Sequence, residues 1–197
     1  MRVRAGQDYV RYVRGVLDGT KRIREEFEDY DLRLYDDLGC MRSAILERDR
    51  EVGLARLLAG YAWKWASKND RDAIDIELDG LQLQWNSTDV DWVNSPRSVN
   101  EVGSIHTIQG YDLNYAGVII GRDLRYDAVA GRVVFDRSNY FDPRGTTNNR
   151  LLGISYTDDD ILQFVRNIYA VLLTRGVLGT FVYVCDPALR EHLRRFF

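Results

Sequence analysis

Apolar residues recur at helical spacing from Asp8 to Leu17, where Tyr9, Val10, Val13, Val16 and Leu17 share a face and Gly19 ends the run. Asp31 to Asp36 alternates polar and apolar, the pattern of a half-buried strand. Residues 37–50 predict a second helix, with Leu38, Met41, Ile45 and Leu46 on one side and Gly53 as its break. A short apolar run, Arg56 to Gly60, predicts a buried strand. Alternation returns at 74–94, which reads as short strands inserted on a main sheet. Val118-Ile-Ile120, between Gly117 and Gly121, predicts a central parallel strand. Leu124–Asp127 and Arg132–Phe135 predict a hairpin, and the polar stretch 136–156 a long loop of the kind that often carries function.

A helix is predicted from Asp158 to about Thr174, with Thr157 as its cap, Asp160 completing a capping-box variant, and Ile161, Val165, Ile168 and Leu172 as its apolar stripe. Thr180 to Cys185 follows as a strand, and Asp186-Pro187 opens a last helix. Strands alternating with helices imply an α/β domain whose sheet is largely parallel.

Composition adds few constraints. The balance of 45% hydrophobic and 29% charged residues over 197 positions suits one globular domain. A net charge of −3 argues against a protein that coats nucleic acid by bulk charge, while leaving room for a local basic stripe. The arginines and lysines near the start and end read as solvated helix faces. Cys40 and Cys185 lack metal-ligand spacing, and His106 and His192 are the sole histidines, so zinc is not expected. The cysteines are expected to be free, buried thiols in a reducing, cytoplasmic setting. No apolar run approaches the length that crosses a bilayer, and no signal peptide is expected.

Three stretches carry candidate chemistry: Ile105-His-Thr-Ile-Gln-Gly110 followed by Tyr111-Asp-Leu-Asn-Tyr115, Asn167 to Gly176 with its Thr-Arg pair, and Ala59-Gly-Tyr-Ala-Trp-Lys-Trp65. The first resembles motif V of superfamily-1 helicases and the second resembles motif VI. All three, in this order, resemble the Schlafen-like DNA/RNA helicase domain family across nearly the whole chain. The resemblance implies a C-terminal RecA-like half, a three-layer α/β domain spanning 1–197 with a small β-rich insertion. Residues 66–98 and 122–156 would be its insertions or loops.

The same resemblance implies roles. Arg175 would be the arginine finger, a permanently charged fork of donors that neutralises phosphate oxygens. Gln109 would share the catalytic edge. Gly110, Asp112 and Thr174 would border the nucleotide, with Asp112 replacing the Glu found in many relatives. His106 and Thr107 would couple that edge to a nucleic-acid groove, and Asn114 and Tyr115 would orient the turn. Trp63, Lys64 and Trp65 would stack bases and touch phosphate, and Arg56 is a further candidate for phosphate contact. Each assignment has a plainer counterpart. In that plainer reading Arg175 is a helix-capping arginine, His106 a structural histidine, and the tryptophans core.

A superfamily-1 ATPase also needs a GxxxxGK[ST] loop, which this sequence lacks, as it lacks the acidic magnesium motif. ATP and Mg2+ are therefore expected to be held mainly by an absent N-terminal RecA-like domain. That domain and DNA or RNA are the expected partners, and the natural protein is expected to be longer. The competing reading is a non-catalytic nucleic-acid or protein binding module on the same fold. A nuclease built on Asp123, Asp127 and Asp136 is a weaker third, and Asp158-Asp-Asp160 reads as a helix cap rather than a metal cluster.

Overall fold

The computed structural model describes residues 3–142 and 155–197. Its centre is a five-stranded parallel sheet of β1 (Asp31–Tyr35), β2 (Ala55–Ala59), β5 (Val102–Gly103), β6 (Leu113–Ile120) and β9 (Gly176–Val184), in the order β1-β9-β6-β2-β5. Two antiparallel hairpins stand apart from it: β3 (Ile76–Leu78) with β4 (Leu81–Leu83), and β7 (Leu124–Asp127) with β8 (Arg132–Phe135).

The sheet is covered on both faces, as parallel sheets require. One face carries α1 (Gly6–Leu17), α3 (Asp158–Leu173) and α4 (Pro187–Arg194), packed on Leu58, Ala116, Val118, Val182 and Val184. The other carries α2 (Leu38–Val52) and the β3–β4 hairpin, packed on Leu57, Tyr115, Ile119, Phe181 and Tyr183. Strand alternation thus feeds two cores from each central strand. The result is the three-layer α/β arrangement expected of a RecA-like domain, with its small β-rich additions.

Local signals fix the helix starts. Thr157 accepts a hydrogen bond from the Asp160 amide at 3.2 Å, and Asp160 accepts one from the Thr157 amide at 2.9 Å, a reciprocal capping box. Asp37 caps α2 through the Cys40 amide, and Asp186 caps α4 through the Leu189 amide, with Pro187 at the first helical position.

The strands are longer than their apolar runs suggest. β6 reaches back to Leu113 and β9 to Gly176. The β5 edge is closed by residues 84–86: Val102 donates to the Gln84 carbonyl and Asn86 donates to the Val102 carbonyl. The stretch after β4 therefore blunts an edge that would otherwise stay open. Of the long polar loop, residues 143–154 lie outside the described residues. Its start holds a single 3-10 turn, Arg137–Asn139, capped by Asp136. One expectation is corrected here: Cys40 is exposed at the start of α2, whereas Cys185 is buried.

Candidate functional site

The motif V segment owes its shape to the sheet topology. β5 ends at Gly103, level with Leu58 and Val118 through the parallel registers, whereas β6 begins five positions earlier at Leu113. Residues 104–112 must therefore travel back across the sheet, about 17 Å at the usual strand rise. Ile105 and Ile108 bury themselves on that face. The chain turns twice on the way. Thr107 accepts from the Ser104 amide and donates to the Ser104 carbonyl, each at 2.9 Å. Gly110 then takes a φ of +85°, a conformation that disfavours any side chain.

This traverse puts His106 and Gln109–Asp112 at opposite rims of the sheet. At the rim where strands begin, Leu113 donates to the Arg175 carbonyl at 3.0 Å, which locks the segment to the end of α3. The Arg175 guanidinium donates to the carbonyls of Val171 at 3.3 Å and Tyr111 at 3.4 Å. Both contacts are long and therefore weak. Most of its N–H donors are unengaged among the described residues, and no carboxylate there lies within ion-pair reach. Gln109 is exposed, and its side chain makes no hydrogen bond among the described residues. Thr174 spends its hydroxyl on the carbonyls of Ala170 and Val171 and closes α3. Asn114 donates to the carbonyls of Val52 and Gly53, tying the same rim to the end of α2. Asp112 is half-buried at the head of β6. A hydrogen bond to Asp91 holds the Tyr111 phenol above its ordinary range.

At the other rim, where strands end, β2 runs into Gly60-Tyr61-Ala62-Trp63. Tyr61, Trp63 and Trp65 all lean on one buried ring, Trp85, with centroids 5.8, 6.4 and 6.1 Å away. The exposed His106 ring lies 5.6 Å from Tyr61. Trp63 and Trp65 are half-buried and Lys64 is exposed, with its ammonium 5.8 Å from the Phe141 ring. A cleft of about 450 Å3 opens among Tyr61, Trp63, Trp65, His106 and Phe141. A second, of about 350 Å3, opens on the far side of Trp65. The two rims are roughly 20 Å apart along the strands.

Some proposed site residues are not brought into either place. Thr107 is 3% exposed and serves its own turn. Arg56 is buried, and its guanidinium is shared among Asp49 at 2.6 Å, Ser98 at 2.8 Å and the carbonyls of Ala55 and Val93. It is an internal brace between β2 and the 91–98 turn, and its expected phosphate contact is withdrawn. Asp123, Asp127 and Asp136 do not assemble a nuclease centre. Asp123 is fully buried against Tyr169, Asp127 stabilises its hairpin turn, and Asp136 caps the 3-10 turn. Among the described residues, no group of three His, Cys, Asp or Glu is placed to hold a metal ion. Trp85, Lys68, Arg71 and Phe141 escaped the sequence reading. Lys68 and Arg71 directly follow the aromatic block, a signal available without the fold.

A family model for the Schlafen group 3 DNA/RNA helicase domain matches residues 1–186. The chain belongs to that family. A relative, uncharacterized protein YPL245W of Saccharomyces cerevisiae, is 36% identical over 176 residues, covering 87% of this chain and 38% of its own length. The chain thus spans less than half of that relative. Membership gives the two rims of this Schlafen group 3 domain a context of helicase-type proteins. Among the described residues, no helix is long and apolar enough to cross a membrane.

Proposed function

We propose that this Schlafen group 3 domain is the second RecA-like half of a superfamily-1-type ATPase that acts on DNA or RNA. In this reading Arg175 meets the phosphates of ATP bound on a separate phosphate-loop domain. The observation that carries it is the junction of Arg175 with the Gln109–Asp112 turn at one rim, where two weak carbonyl contacts are all that anchor the guanidinium among the described residues. An arginine held by α3 yet mostly unengaged is free to exchange those contacts for phosphate oxygens. Its fixed charge suits a reaction catalysed largely by positioning and charge neutralisation.

The residues present fit a part of a nucleotide site and not the whole of one. Arg175 supplies cationic donors, Gln109 an amide with both donor and acceptor, and Gly110 a bare backbone for close approach. ATP would supply the phosphoryl group, and Mg2+, held with it on the partner domain, would share its charge. Thr174 and Leu113 keep the rim rigid, so that domain closure delivers Arg175 in one orientation. The Ser104–Asp112 traverse joins this rim to the aromatic rim and offers a physical route between nucleotide and nucleic acid.

The test is ATP turnover in a protein that carries this domain with its phosphate-loop partner. Arg175→Ala is expected to lower turnover on the order of 10^3-fold, with ATP binding largely kept. Near-normal turnover in that variant refutes the finger and leaves the domain a binding module.

A further inference from the structure

The two clefts at the aromatic rim share Trp65, Lys68 and Asp89, so the Trp65 ring is the wall between them. That wall is braced: Trp65 rests on Trp85, which is 1% exposed, and the Lys68 ammonium sits 5.7 Å from the Trp65 ring. A braced, half-exposed indole keeps π surface available at little entropic cost on binding. Trp85 and Asn86 line the smaller cleft, and each has a buried polar atom, the indole Nε1 and Oδ1, without a hydrogen-bond partner among the described residues. They are a donor and an acceptor on adjacent residues, and buried groups of this kind ordinarily find partners. Arg71 and Arg97 line the same cleft, while Lys68 borders both. The place therefore combines flat aromatic surface, hydrogen-bonding groups and positive charge, the three elements of a single-strand site.

We propose that Trp65 divides consecutive bases of a single-stranded nucleic acid, one base entering each cleft. Lys68, Arg71 and Arg97 would meet the phosphates. Asp89, between the clefts, would accept a hydrogen bond from a base N–H. The smaller cleft is lined by residues 84–89, which follow β4, so this insertion becomes part of the strand-binding surface. The inference rests on the nucleic-acid half of the proposed function and is independent of the arginine finger.

The test uses this chain without ATP. Labelled (dT)12 and (rU)12 are titrated by fluorescence anisotropy, with the intrinsic tryptophan emission read in parallel and a 12-base-pair duplex as comparison. Saturable single-strand binding, quenched emission and weaker duplex binding are expected. The tighter of the two strands identifies the preferred sugar. Trp65→Ala should weaken binding five- to hundredfold, in line with loss of a stacking contact. Trp65→Leu, which keeps apolar fill for folding, should lose most of the same affinity. Arg71→Ala should flatten the salt dependence. Wild-type affinity in both Trp65 variants, or equal single-strand and duplex binding without quenching, overturns the proposal. ATPase results bear only on the finger, so the two readings fail separately.

Discussion

Substituting Asp123→Asn should change how folding stability depends on pH, and the size of the change follows from the burial of this carboxyl. Asp123 is fully buried behind the end of β6. Its Oδ1 accepts from the Tyr169 hydroxyl at 2.7 Å, and that hydroxyl in turn accepts from the Gly121 amide at 2.9 Å. Its Oδ2 has no side-chain or backbone hydrogen-bond partner among the described residues. Burial disfavours the charged form and raises the pKa; the hydrogen bond from Tyr169 lowers it again in part. The balance is a carboxyl pushed from the ordinary 3.8 up to about 7.

The sign is that of a group favoured in its protonated form by folding. Its contribution is fully present below the unfolded pKa of 3.8 and is lost as pH rises through about 7. At about 1.4 kcal/mol for each pH unit, the full change is about 4 kcal/mol, of which about 2 kcal/mol falls between pH 5 and 7. Asn keeps the acceptor for Tyr169 and removes the titration. It also places an NH2 group where Oδ2 has no partner, a pH-independent cost of about 1–3 kcal/mol. Absolute stability is thus a poor readout and the difference between the two proteins against pH is a good one. Urea unfolding of both from pH 4 to 8 should show wild type losing ground steadily up to about pH 7, then a constant offset. Other titrating groups, His192 among them, are common to both proteins and drop out. Parallel pH profiles would refute a protonated, buried Asp123.

Two further outcomes check the packing around the site. A Cβ at Gly121 would lie 2.1 Å from the Ala62 Cβ, so Gly121→Ala should displace the turn leading to Trp63. Overpacking of this kind costs about 1–3 kcal/mol, visible as a lower melting temperature, and unchanged melting would show that the turn can yield. Arg56→Ala removes the partner of Asp49 inside the fold and should cost about 3 kcal/mol in urea unfolding, while single-strand affinity stays at the wild-type level. Loss of affinity without loss of stability would restore Arg56 as a phosphate contact.

Local chemistry was legible wherever neighbours in sequence decide it. Thr157 with Asp160, and Asp186 with Pro187, announce their helices because the bonding partners lie within one turn. Strand lengths were not legible, for a reason visible in β6 and β9. Asn114, Gly117, Gly176 and Gly179 interrupt the apolar runs, yet each sits where the fold wants little or no side chain or a polar anchor. A Cβ on Gly117 would press on Ile45 and Leu57, and one on Gly179 on the Asp31 carbonyl. Arg56 illustrates the converse. An arginine on an apolar strand resembles a ligand contact until Asp49, at the end of α2, and Ser98, forty-two positions along the chain, close around it. The Arg175 rim was legible because both of its parts are contiguous motifs. The aromatic rim was half legible: the Trp-Lys-Trp block stands out, but Trp85, which orients it, lies twenty positions further on beside a hairpin.

The geometry also limits how the two rims can communicate. They lie roughly 20 Å apart, so no side chain spans them, and the strands between are buried and parallel, with little freedom to slide. The Ser104–Asp112 traverse is different. It is held at its two ends, by the Thr107–Ser104 hydrogen bonds beside His106 and by Leu113 on Arg175, and between them mainly by Ile105 and Ile108 packing on the sheet. A segment pinned at both rims and buried through aliphatic side chains can shift as a unit more easily than the strands beneath it. Ile108, the more deeply buried of the two, is therefore the residue whose truncation should separate the two proposed activities: Ile108→Ala leaves the polar contacts at either rim in place, yet loosens the packing of the segment that joins them. Strand binding preserved with a weakened dependence of ATP turnover on added single strand would locate the coupling in this segment; intact stimulation would place it elsewhere.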